Sequence, residues 1–218
     1  MATYFNFQMI FDECMSETDA LLNILDIYEN TALHIAAKEG HHEIVEFFLN
    51  IFSERSQLGV PQLVSSLKND SEMTPLHLAT KKGRLDVVKQ LINYEKNLVL
   101  CIDENNDTAL HLACLHKKPK IAEELLKHGG SVMERNSKQW TPLDCASSVG
   151  AIDCAKILFT YDSPLNPEDR AKSTPLHLSV ENGHVEMVNL LLENGADISK
   201  EDHQNRNPLE KALLHGQR

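Results

Sequence analysis

Four histidines recur at one place in a repeated tetrapeptide: His34, His77, His111 and His177. A row of imidazoles is the first place in this chain to look for a metal or for acid–base chemistry. The spacing argues against a shared metal. One histidine per unit puts neighbours about 10 Å apart, the separation of packed helices, whereas zinc needs ligands at about 2 Å from one centre. Each stands three residues beyond a cap position, where a bond back to the cap gives the side chain a structural use. The five cysteines, Cys14, Cys101, Cys114, Cys145 and Cys154, form no C-x-x-C pair and are odd in number, so reduced thiols in a cytosolic setting fit best. Cys145 and Cys154 fall in apolar slots and should be buried. Cys114 is expected to be partly exposed, and Cys101, in a loop, is the candidate for a reactive thiol.

Other polar clusters read as surface. His41-His42-Glu43 lies at a turn, and Asp103-Glu104 and Glu168-Asp169 lie in loops without the spaced ligands and glycine of a calcium loop. No phosphate-binding glycine loop, nucleophile elbow or zinc-protease helix motif occurs. The expectation is a chain with no catalytic residue, no metal and no cofactor, and not an enzyme. Lys and Arg number 21 against 32 Asp and Glu, a net charge of −11. That balance disfavours nucleic acid and polybasic docking on anionic lipid. The most apolar stretch, Ile44 to Phe52, is broken by Glu46 and Asn50, and nothing approaches the ~18 apolar residues of a membrane helix. Met1 to Met15 has no basic start and carries Asp12 and Glu13, which makes a poor signal peptide.

The elements that position these residues come from self-comparison. Thr31-Ala-Leu-His34 is followed by Thr74-Pro-Leu-His77, Thr108-Ala-Leu-His111, Thr141-Pro-Leu-Asp144, Thr174-Pro-Leu-His177 and Asn207-Pro-Leu-Glu210. The starts are separated by 43, 34, 33, 33 and 33 residues. Thr or Asn suits a helix N-cap, Pro or Ala the first helical position, and Asp144 or Glu210 at the third completes a reciprocal capping box. Leu33, Leu76, Leu110, Leu143, Leu176 and Leu209 are predicted core. Nine residues after the cap stand Gly40, Gly83, Gly150, Gly183 and Gly216, suited to a left-handed helix end. Apolar residues at i, i+1, i+4, i+5, such as Val87, Val88, Leu91 and Ile92, then mark a second helix. Each unit is helix, tight turn, helix and loop, and the chain is all-α.

Three departures carry expectations. Lys117 replaces the turn glycine and predicts a distorted turn around Lys117 and Lys118, with Pro119 opening the next helix. The long first interval inserts ten residues within Ile51 to Asp70, either extending the outer helix or projecting a loop. Residues 1–25 read as part of a preceding unit, and units from 26 to 218 end inside the sixth, so both ends look cut from a longer array.

A period near 33 with this tetrapeptide is identified as that of the ankyrin repeat. The stretches Trp140-Thr-Pro-Leu-Asp-Cys-Ala146, Asp162-Ser-Pro-Leu-Asn-Pro167 and Lys172-Ser-Thr-Pro-Leu-His-Leu178 resemble the N-terminal array of ankyrin-type transient receptor potential (TRPA) channels, invertebrate members especially. That resemblance implies a segment of a calcium-permeable cation channel without its pore, cytosolic, on the cytoplasmic side of the plasma membrane, homo-oligomeric with the channel. A free-standing cytosolic adaptor is the alternative. The expected partner is a protein on the concave face, with no nucleic acid and no membrane contact by this segment. The contact residues predicted there are Glu72, Met73, Asn106, Asp107, Gln139, Trp140, Lys172 and Ser173. Trp140 should sit at the base of a loop finger, facing a groove or the neighbouring finger.

Overall fold

The computed structural model describes Leu22, residues 24–57 and residues 63–214. The partial unit expected over 1–25 lies almost wholly outside them, as do Cys14 and Gly216. Eleven α-helices stand among the described residues. Inner helices are α1 (Ala32–Glu39), α3 (Pro75–Lys82), α5 (Ala109–Leu115), α7 (Pro142–Val149), α9 (Pro175–Glu181) and α11 (Pro208–Leu214). Between them lie outer helices α2 (His42–Gln57), α4 (Leu85–Tyr94), α6 (Pro119–Lys127), α8 (Ile152–Phe159) and α10 (Val185–Glu193). Each inner helix packs on the next inner helix, and each outer helix on the next outer helix. The result is a two-layer solenoid whose core runs along the stack.

The tetrapeptide does what its chemistry demands. In units one to five the cap threonine and the third helical residue form a reciprocal capping box. In the sixth, Asn207 Oδ1 accepts the Glu210 N–H and Glu210 Oε2 accepts the Asn207 N–H, each at 2.9 Å. Where the third residue is histidine, its Nδ1 accepts the threonine N–H at 3.1–3.2 Å. The far side of each ring reaches the following unit. Nε2 lies 3.0 Å from the Met73 carbonyl oxygen for His34, 3.1 Å from that of Cys101 for His77, and 3.0 Å from those of Trp140 and Arg206 for His111 and His177. A ring whose Nδ1 accepts and whose Nε2 faces a carbonyl is the neutral Nε2–H tautomer. Each histidine is thus a peg between consecutive units, bonded at both nitrogens.

Asp144 breaks that series. Its Oδ2 accepts the Thr141 N–H and hydroxyl at 2.8 Å each. Its Oδ1 is buried without a partner among the described residues. A carboxyl group is too short to replace the imidazole bridge, so the joint between units four and five lacks the peg.

Leu33, Leu76, Leu110, Leu143 and Leu176 are all buried, as expected. Leu209 is not: it is 61% exposed. The other five are each covered by the inner helix of the following unit, and α11 has no such neighbour among the described residues. The expected distortion at Lys117 does not occur either. Lys117 takes φ 53°, alongside 66° at Gly150 and 79° at Gly83. The Lys118 N–H reaches the Ala113 carbonyl at 2.8 Å, just as Arg84 reaches Ala79 at 2.9 Å and Ala151 reaches Ala146 at 2.8 Å. The closing bonds, with Pro119 starting α6 immediately afterwards, outweigh a left-handed penalty of about 1–2 kcal/mol.

The insertion lengthens the outer helix: α2 has 16 residues against 10 in α4. Beyond it, a short 3-10 turn (Val64–Ser66) is fastened to the second unit. Val64 is fully buried, the Ser65 N–H donates to Glu95 Oε2 at 3.2 Å, and the Ser65 hydroxyl donates to Glu95 Oε1. No described helix is long and apolar enough to cross a membrane.

Candidate protein-contact surface

The loops joining successive units are rigid fingers, and one residue type builds them. Asp26, Asn69, Asp103, Asn136, Asp169 and Asp202 each stand five residues before a cap. Each turns its Oδ1 onto the backbone N–H groups two and four residues on, as Asp103 does to Asn105 at 2.8 Å and Asp107 at 2.9 Å. The same pair of bonds recurs at the other five positions. Short acidic and amide side chains favour this turn because they satisfy amides that no strand partner reaches. The residue three after each Asx then adopts positive φ, at Glu29, Glu72, Asn106, Gln139, Lys172 and Asn205. This device was readable in the sequence, as an Asx in fixed register with every cap, and was missed.

Neighbouring fingers are tied by backbone bonds. Glu104 N–H donates to the Ser71 carbonyl at 3.1 Å, Ser137 to Asn105 at 2.8 Å and His203 to Ala171 at 2.9 Å, with Asp70 to Tyr28 and Arg170 to Lys138 completing the row. Side chains add to it. Asn136 Nδ2 donates to Asp107 Oδ1 at 2.7 Å, and Arg135 Nη1 donates to the Gln139 and Glu168 carbonyls at 2.8 Å.

The eight residues predicted from sequence divide by this geometry. Glu72, Asn106, Gln139 and Lys172 are the exposed, positive-φ tips of successive fingers. Met73, Asp107 and Ser173 are buried one residue later and have internal uses. The Met73 carbonyl receives the His34 peg, Asp107 accepts from Asn136, and Ser173 Oγ lies 3.4 Å from the buried Lys211 Nζ. Their side chains are not offered to a partner. Trp140 is half-buried and packs as expected against the neighbouring finger: its Nε1 donates to Asp169 Oδ2 at 2.9 Å, with Lys138 Nζ 4.4 Å above the ring. The exposed side of the inner helices contributes Ile35, 43% exposed, while the equivalent Leu112, Cys145 and Leu178 are buried.

The other chemistry-bearing residues are absorbed by the fold. Burial holds the His34, His111 and His177 imidazoles below their ordinary range and takes His77 down to about 4. Burial pushes the Asp144 carboxyl up to about 7. Cys145 and Cys154 are buried, as expected; Cys114, expected to be partly exposed, is fully buried. Its slot faces the next unit, and the adjacent Cys154 thiol and burial hold the Cys114 thiol well above its ordinary value. Cys101 is half-buried, and burial together with Glu95 raises its thiol. That is the reverse of an activated nucleophile. The acidic loop residue Asp103 is occupied by backbone amides, and no group of residues suited to a metal occurs among those described.

Comparison with known proteins places this architecture. The family model "Ankyrin repeats (3 copies)" matches residues 2–100, 95–169 and 163–218. Transient receptor potential cation channel subfamily A member 1 of Homo sapiens is 30% identical over 82% of the chain and 16% of its own length. The Drosophila melanogaster protein of that name is 26% identical over 86% of the chain and 16% of its own length. The B-cell lymphoma 3 protein homolog of Mus musculus is 30% identical over 93% of the chain and 45% of its own length. The chain therefore spans about a sixth of the channel subunits it matches and under half of the third relative.

Proposed function

Because the chain belongs to the ankyrin-repeat family, a protein-interaction fold, we propose that it is a non-enzymatic contact module from the cytosolic part of a TRPA-like, calcium-permeable cation channel. The observation that carries this reading is the similarity to the human channel subunit over 82% of the chain, together with 27% identity to its Caenorhabditis elegans homolog over 85%. In this role the segment contains no pore. It couples a protein partner on its finger face to a gate elsewhere in a homo-oligomer, from the cytoplasmic side of the plasma membrane. The contacts are made by Glu72, Asn106, Gln139 and Lys172, whose side chains are exposed on hydrogen-bonded fingers. Rigid fingers lose little conformational freedom on binding, which favours affinity.

The reading frame of the gene tests this directly. Six membrane-spanning helices downstream are the expected finding, and a stop codon after a chain without them overturns the channel assignment. A second reading, a free-standing adaptor, is favoured by the 93% coverage in the match to the B-cell lymphoma 3 homolog. A stop codon of that kind selects it.

A further inference from the structure

The end of the stack opposite the fingers carries a charge pattern that the finger surface does not explain. Each inner helix starts beside a finger and ends at the helix–helix turn, so a helix of eight residues such as α3 sets the two about 12 Å apart. At the turns of units two and three stand Lys81, Lys82, Arg84, Lys117, Lys118 and Lys120. All but Lys118 are exposed. None forms an ion pair among the described residues. This is more than a quarter of the 21 Lys and Arg in a chain of net charge −11, gathered on two adjacent turns, with Asp86 among them and Asp153 of the next turn beside Lys117 as their acidic neighbours.

The cations converge. The Lys118 side chain lies across the preceding turn, its Nζ 3.2 Å from where a Cβ on Gly83 would stand. Arg84 reaches one unit further back, its Nε donating to the Lys38 carbonyl at 3.1 Å, which fixes its guanidinium along the same edge. His116 feels the cluster: after burial, the charges of Lys81, Lys118 and Lys82 hold its imidazole below the ordinary range. Like charges held together in this way raise one another's energy, and an anionic partner relieves it.

The patch is also bounded. The corresponding turn of unit one sets Glu39 and Glu43 against Lys38, that of unit four carries only Asp153, and that of unit five carries Glu181 and Glu186. A flat anionic bilayer or a duplex laid along this edge meets those carboxylates and the overall negative charge. A narrow acidic strand confined to two turns does not. We propose that the turns of units two and three form a second contact surface, and that its occupant is an acidic, extended protein segment. Adjacent turns are about 10 Å apart, and an extended polyproline II segment rises ~3.1 Å per residue with three residues per turn, so carboxylates at every third position share one face and match the rows of cations.

The test uses the full chain and a short fluorescein-labelled peptide with aspartate at every third position, read by fluorescence anisotropy at low ionic strength. Binding is expected, weakening as salt is added, with the asparagine counterpart of the peptide failing to bind. Charge reversal at K81E, K82E, K117E and K118E together should weaken binding by roughly tenfold or more. Reversal of an exposed lysine outside both surfaces, K156E on α8, should leave it unchanged. Circular dichroism and the milder Lys→Gln set separate loss of charge from loss of fold. Equal binding by the reversed and unaltered chains overturns the proposal, as does equal binding of the asparagine peptide. Tighter, reversal-sensitive binding to phosphatidylserine vesicles than to the peptide overturns the protein occupant in favour of a membrane. Self-association at low salt that the reversal abolishes reassigns the patch to a second copy.

Discussion

At the scale of single residues, the third helical position sets both the joints of the stack and their response to acid. The histidine pegs work only as neutral rings, because a protonated Nδ1 faces the cap amide that should donate to it. With folded values below the ordinary 6.5, the unfolded chain takes up protons that the folded chain refuses. Their stabilisation is complete above pH 6.5 and is lost as the pH falls. For His77, held at about 4, this amounts to about 3 kcal/mol across the window. Asp144 has the opposite sign. Its folded value of about 7 lies above the ordinary 3.8, so its burial costs stability above pH 7 and that cost vanishes below 3.8. Asp144→Asn should therefore be more stable than the native chain by roughly 2 kcal/mol at about pH 8, with the gap closing by about pH 4. Urea unfolding across that range checks both claims, and a gap independent of pH refutes the second. The capping role of His34 and its equivalents was legible, because the partner is three residues away in the sequence. The bridge to the next unit was not, because its acceptor is a backbone carbonyl 24 to 39 residues on, and a carbonyl carries no residue identity.

At the scale of elements, local rules were read well and neighbour-dependent ones poorly. Caps, turn glycines and apolar spacing located every helix pair, because each depends on a few adjacent residues. Leu209 has the same local setting as Leu76, yet one is 61% exposed and the other fully buried; what differs is the helix beside it. Leu76→Ala should cost roughly 2–5 kcal/mol and Leu209→Ala under about 0.5 kcal/mol. Equal losses in thermal or urea unfolding would contradict the packing described. Lys117 shows the complementary case, where a poor local fit is carried by the bonds around it. Lys117→Gly should relieve the left-handed strain and raise stability by about 1 kcal/mol. A destabilised variant would mean that the lysine side chain is itself needed at the turn.

At the scale of the whole molecule, the framework and the proposed contact surfaces occupy different parts of the same unit. Leucines and pegs hold the stack, while finger tips and turn edges face outward at opposite ends. Alanine at Glu72, Asn106, Gln139 and Lys172 together should shift the unfolding free energy by no more than about 0.5 kcal/mol per site. A cooperative loss of folding, seen by calorimetry, would mean that these tips belong to the framework. The fingers themselves lead to a result that their lack of regular secondary structure hides. In every finger from the second to the sixth, all five amides from the Asx residue onward are engaged, as Asn69 to Met73 and Asp103 to Asp107 show. Deuterium from solvent enters a backbone where amides open, so these connections should label as slowly as the helices they join. A protease searching for an extendable strand should pass over them.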